Sequence, residues 1–164
     1  MANTAAGTIR IERTFPTSDE DVWRLWTTRE GIESWWAPDG FKVDVSKLDL
    51  RLGGELVYTM TATAPEQVSF MKGAGMPLTT EARKTFTEIV PPRRIAYQSL
   101  VDFVPGVAPY LQLTVVDLSP IGDGVRVVMT MEPMHDEVWT ERLVMGRGNE
   151  LDNLARVTER KRGR

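Results

Sequence analysis

Arg147 and Glu150 stand three residues apart in the last periodic segment of the chain, a spacing that makes them neighbours on a helix. A guanidinium on an inward helix face is a planar fork for a ligand carboxylate or phosphate, and it is equally suited to pairing with that glutamate. His135 beside Asp136 has the makings of a general base held by a carboxylate, or of an ordinary residue at a helix start. Asp102 and Glu132 are carboxylates on apolar strands. Alternation sets Asp102 opposite Phe103 and Glu132 opposite Met131, which turns both to solvent. The remaining templates fail. Without cysteine there are no thiol nucleophiles, thiolate metal sites or disulfides. One histidine with scattered carboxylates makes no metal centre, and no cofactor is expected. Gly53-Gly54 precedes a strand and has no helix dipole behind it, so it is no phosphate loop. Neither a Gly-x-Ser-x-Gly nor a Walker pattern occurs, and no catalytic residue is assigned.

A stronger signal is apolar. Trp35, Trp36, Tyr58, Met60, Phe86 and Tyr97 in the first part of the chain are of the types that line apolar pockets. Phe103, Tyr110, Met129, Met131 and Trp139 continue the set. Tyr58 and Met60 share one strand face, as do Met129 and Met131, and methionine is a flexible filler. Each of these residues serves equally well as core. As a set with Arg147 and Glu150 they are the candidate ligand-binding residues, with Arg147 or Tyr97 fixing a polar end.

The elements that must position them follow from periodicity. Ile9 to Thr14 alternates as a strand, stopped by Phe15-Pro16. Thr17 or Ser18 caps a helix with Asp19, Glu20 and Asp21 in its first turn, and Arg29 to Trp36 forms a second, shorter one. From Phe41 the period becomes strand-like. Segments at 41–48, 56–61, 80–90, 94–103, 110–118 and 125–132 are joined by short Pro/Gly turns, as in an antiparallel meander. Asp136 to Arg160 returns to helical spacing, with Trp139, Leu143, Gly146, Leu151, Leu154 and Val157 on one stripe. Gly146 and Gly148 predict a kink or a close backbone approach there. Residues 64–78 break the pattern and read as a surface loop, a helical turn closed by glycines, or a flap.

The sum is an α+β domain over residues 8–160 with a basic tail at 161–164. About seven strands form a curved antiparallel sheet wrapped round a long C-terminal helix, with two short helices after the first strand. At 164 residues, 41% hydrophobic and 26% charged, the chain is one globular domain. Twenty basic against twenty-three acidic residues, net −3, argue against a nucleic-acid partner. No apolar run is long enough for a membrane span, the N-terminus lacks a signal pattern, and zero cysteines suit a cytoplasmic location.

Four motifs in this order carry a resemblance: Trp35-Trp36 closing the second helix, Leu50-Arg51-Leu52-Gly53-Gly54, Glu88 to Ile95 around Pro91-Pro92, and Leu151-Asp152-Asn153-Leu154. They resemble the START-like (SRPBCC) superfamily, the helix-grip fold of birch pollen allergen. Within it they are similar to the C-terminal domain of the activator of the 90-kDa heat-shock-protein ATPase. The resemblance implies a cavity between sheet and C-terminal helix that binds a small hydrophobic or amphipathic molecule. It implies two alternatives as well: an interaction with a chaperone partner, and a cyclase- or hydrolase-type enzyme using the same cavity. A homodimer through the face near Phe70 and Met71 is a further expectation. Two features depart from the family pattern. Arg147 replaces a usual tryptophan four residues before Leu151, and residues 64–78 lengthen a usually short turn.

Overall fold

A computed structural model describes residues 2–5 and 7–162, with side chains from residue 7 to residue 160. The strand β1 (Ala2–Ala5) folds back on β2 (Thr8–Phe15), pairing Ala2 with Ile11. In β2 the alternation of sequence becomes an alternation of burial: Ile9, Ile11 and Phe15 face inward, Arg10 and Glu12 outward. Next come α1 (Asp19–Thr27), N-capped by the Ser18 hydroxyl, and α2 (Arg29–Trp35), N-capped by Thr28. The strands β3 (Phe41–Leu48), β4 (Glu55–Ala62), β5 (Thr79–Val90), β6 (Arg94–Val101), β7 (Tyr110–Ile121) and β8 (Gly124–Met131) follow. The helix α3 (Pro65–Gly73) interrupts them after β4, and α4 (Glu137–Arg162) closes the chain.

All pairings are antiparallel, in the order β1-β2-β8-β7-β6-β5-β4-β3. The meander from β3 to β8 is the expected one. The strand β1 is an addition to the expected seven: its sequence, Ala-Asn-Thr-Ala, has no apolar alternation to announce it. The segment 64–78 holds α3, which starts with Pro65 and buries Met71 while leaving Phe70 exposed. The face expected to present both residues thus presents Phe70 only. The basic tail expected at 161–164 is helical as far as Arg162, and its last two residues lie outside those described.

Each motif of the sequence makes a specific tie. The turn at 50–54 closes so tightly that a Cβ at Gly54 would strike the Asp49 carbonyl, and Gly53 takes φ +79°. Gly53 N–H donates to Phe86 O at 2.8 Å, and Phe86 N–H donates to Gly54 O at 2.9 Å. After Pro91-Pro92, Arg93 pairs with Asp19, and Arg94 holds Glu88 and Asp117, each at 2.8 Å. In α4, Leu151 and Leu154 are buried in the core while Asp152 accepts from Arg13 of β2 at 2.7 Å. Asn153 donates to the Ala37 carbonyl at 2.8 Å, and Asn149 accepts from the Asp39 amide.

The two glycines of α4 differ from expectation. The helix runs unbroken through Gly146 and Gly148, and no backbone approaches either. A Cβ at Gly146 would meet nothing within 4 Å, and one at Gly148 would meet only the far end of Arg13 at 3.7 Å. Gly146→Ala is therefore expected to stabilise the fold by up to ~1 kcal/mol through helix propensity alone, raising the melting temperature by roughly 2–4 °C. A thermal scan of the variant beside the parent checks this, and a lower melting temperature would show that position 146 needs glycine.

Candidate functional site

The concave face of the sheet carries a polar row where an apolar one would suffice. Cross-strand register aligns Leu56 of β4, Lys84 of β5, Ser99 of β6 and Gln112 of β7. The adjacent row runs from Phe86 through Tyr97 and Thr114 to Met131. Lys84, Gln112 and Thr114 are buried. Opposite them α4 presents Arg147 and Glu150, paired at 2.5 Å, with the glutamate side chain 5% exposed and the arginine 20%. The i, i+3 spacing on α4 brings the guanidinium and carboxylate together, and the docking of Leu151 and Leu154 aims both at the sheet.

Lys84 sits in an aromatic enclosure. Its Nζ donates to Ser99 Oγ at 2.7 Å and lies 5.2 Å from the Tyr97 ring, 5.9 Å from Trp36 and 6.0 Å from Tyr58. These ring faces favour the ammonium, but enclosure removes its water. Burial, reinforced by Arg147 and opposed by Glu150, holds the amine down at about 7 against its ordinary 10.5. Burial also raises the Glu150 carboxyl, with Arg147 and Lys84 pulling the other way. Burial pushes the Tyr58 phenol up to about 12, against the Arg147 charge and the Trp36 N–H that donates to its hydroxyl at 3.1 Å. Tyr97 is raised for the same leading reason. For Arg147 burial works against the charge, but Glu150 and the two phenols outweigh it. Arg147 Nε is buried with no hydrogen-bond partner, while the Trp26 N–H faces the Tyr97 hydroxyl and opposes its rise without a full hydrogen bond. Two cations face one carboxylate here, so the cluster carries a positive surplus whenever Lys84 is protonated.

Comparison with known proteins agrees with the fold. The family model for Activator of Hsp90 ATPase homolog 1-like proteins, AHSA1, matches residues 16–159. The chain belongs to this family. A crystal structure of a Chromobacterium violaceum protein superposes with a TM-score of 0.76 at 25% identity, covering 94% of this chain and 99% of that one. The AHSA1 protein of Silicibacter pomeroyi gives 0.73 at 17% identity, over 94% of this chain and 99% of that one. A Mycobacterium smegmatis protein gives 0.76 at 14%, over 98% of each, and these last two show the fold alone. No curated protein matches the chain.

Within this AHSA1 fold, five of the residues expected at the site come together: Trp36, Tyr58, Tyr97, Arg147 and Glu150. Met60 lies two residues along β4 from Tyr58 and is half-buried. Phe86, Met129 and Met131 are buried in the apolar floor. Trp35 donates to the Leu25 carbonyl at 2.8 Å and packs between Trp26 and Trp36. Three others gather elsewhere. Phe103 lies beyond the end of β6, is 56% exposed and stacks on Trp139 at 5.8 Å, so it lines no pocket of the sheet. The strand stops at Val101 because Pro105-Gly106 already turns the chain. Tyr110 bonds its hydroxyl to His135 Nδ1 at 2.8 Å, and His135 lies 5.9 Å from the Trp139 ring. Asp136, not His135, caps α4, accepting from Trp139 N–H at 2.8 Å. Asp102 and Glu132 are exposed.

Sequence reasoning missed Lys84, Ser99, Gln112 and Thr114. Their signal was parity: Ala82, Lys84 and Phe86 fall on one face, as do Gln112, Thr114, Val116 and Leu118. No group of three or more metal-ligating side chains occurs among the described residues, and no helix there is long and apolar enough to cross a membrane.

The buried amine makes folding depend on pH. Unfolded, Lys84 keeps its proton to about its ordinary 10.5; folded, it keeps it only to about 7. Between those values the unfolded state binds more protons, so stability rises with pH. Above the ordinary tyrosine value of 10.0 the folded state retains phenolic protons that the unfolded state loses, and the trend reverses. The melting temperature is expected to climb from pH ~7 to ~9.5, and Lys84→Met to remove the climb while leaving the alkaline fall. Scanning fluorimetry of both proteins from pH ~7 to ~11 checks it. Parallel profiles would mean that Lys84 titrates normally.

Proposed function

We propose that this AHSA1-family chain binds a small amphipathic molecule between the sheet and α4, anionic end toward Lys84 and Arg147, apolar part against Tyr58, Met60 and Tyr97. The observation that carries this reading is the buried charge cluster. An arginine with an unpartnered Nε and a lysine that makes a second cation when protonated, against one carboxylate, are a costly interior for a domain that only has to fold. A ligand carboxylate, sulfonate or phosphate offsets the surplus and supplies the missing acceptor. Access supports it too. Met60, Ala82, Ser99 and Leu143 are only half-buried, so solvent reaches the margin of the cluster beside the first half of α4. The lack of cysteine suits a cytoplasmic setting, and the charge balance suits a small-molecule partner over a nucleic acid.

The family description supports a second reading, an interaction with a chaperone ATPase of the 90-kDa heat-shock class. Exposed Phe70, on α3, is one of the apolar side chains that such a contact or a homodimer could cover. Stimulation of a purified chaperone's ATPase by this chain would favour that reading.

Binding is tested with two fluorescent probes of similar shape, anilinonaphthalene sulfonate and its uncharged relative N-phenylnaphthylamine. Arg147→Ala is expected to weaken the sulfonate by about tenfold and to leave the neutral probe within about twofold, with circular dichroism confirming the fold. Equal affinities of parent and variant for the sulfonate would remove Arg147 as the anchor.

A further inference from the structure

We propose that Lys84 is a nucleophile that forms an imine with the carbonyl carbon of an aromatic or aliphatic 2-oxo acid held in this site. The inference rests on the binding reading above and adds covalent chemistry to it.

Three observations carry it. Lys84 is buried on the inner face of β5, yet its one hydrogen-bond partner is a neutral hydroxyl, Ser99 Oγ, rather than a carboxylate. Structural lysines on a sheet face are usually solvated or ion-paired, as Lys42 and Lys47 are here with Asp44 and Glu55. Second, the groups that face the amine from each packed element act on its charge. Arg147 of α4 and enclosure by Trp36, Tyr58 of β4 and Tyr97 of β6 disfavour or confine the ammonium, while Glu150 of α4 favours it. Desolvation beside a second cation is the means by which lysine is made a nucleophile near neutral pH. Third, a 2-oxo acid fits the donors. Its carboxylate suits the unpartnered Arg147 Nε, its adjacent carbonyl falls toward the interior amine, and its side chain suits the aromatic wall.

The chemistry closes without a co-reactant. The Lys84 nitrogen lone pair forms the C–N bond as the carbonyl π pair moves to oxygen. Solvent water takes a proton from the nitrogen and returns one to that oxygen, giving the carbinolamine. The carbinolamine C–O bond then breaks, and the second nitrogen proton leaves with the hydroxyl as water, giving C=N.

The test is reductive trapping. The full chain is incubated at neutral pH with phenylpyruvate and sodium cyanoborohydride, then digested and mapped. The five lysines, 42, 47, 72, 84 and 161, make assignment direct. The expected result is a secondary amine at Lys84, formed roughly tenfold or more faster than at any other lysine, absent in Lys84→Met and not formed with phenyllactate. Labelling spread evenly over the lysines, or none at Lys84, overturns the proposal. Displacement of anilinonaphthalene sulfonate by phenylpyruvate is read in parallel. Displacement without trapping overturns the imine and leaves the binding reading standing, whereas failure of both overturns the two together.

Discussion

The fold hangs on how the last helix is fastened. Leu151 and Leu154 fill the core, Asp152 takes Arg13 of β2, and Asn153 holds the Ala37 carbonyl just past α2. Apolar burial supplies the energy of that docking, and the polar ties fix its register. A helix free to rotate by one residue would turn each of its side chains by ~100°. Fastened as it is, α4 delivers Arg147 and Glu150 to the sheet one turn before the anchor, onto the strands that carry Lys84, Tyr97 and Tyr58. The site is a consequence of the fastening.

What the fastening brings together runs against the trend of protein interiors. Buried charges lose hydration that a single ion pair seldom restores in full, and an apolar replacement of equal volume is often no less stable. The sequence could have placed apolar residues of similar volume at 84 and 147. Instead the chain holds a lysine under three aromatic rings and an arginine whose Nε has no acceptor. Neutral polar groups, Gln112 and Thr114, extend the same surface and satisfy one another and the Glu132 carbonyl. The cluster is therefore uneven. Its neutral part, Gln112 and Thr114, is tied to itself and the backbone, while its charged part keeps one donor, Arg147 Nε, without an acceptor.

Much of this was legible. Alternation set the strands of the meander, caps and acidic first turns set α1 and α2, and the four motifs in order set the family. Arg147 and Glu150 were found by helical spacing, and the tyrosines by strand parity. Three kinds of feature escaped. The strand β1 is short and has no pattern to read. The α3 segment has weak periodicity, so a helix and a loop read alike. Lys84 escapes because a charged residue on a strand reads as exposed, although its position between Ala82 and Phe86 puts it on the inner face. Phe103 is misplaced for the converse reason: an aromatic near a strand end reads as pocket lining, although the strand stops at Val101.

The two halves of α4 differ in a way that bears on time rather than space. From Glu150 onward Glu150, Leu151, Leu154 and Thr158 are buried, whereas none of residues 137–149 is. The first half also contains two glycines that no neighbour requires. Segments with little buried area and low helical propensity are the first to open in native proteins, well below the free energy of global unfolding. Amides of the first half of α4 thus exchange with solvent by sub-global opening while those after Glu150 wait for the whole domain. Exposure of the inner face of that half is thus set by a local equilibrium, separately from the stability of the fold.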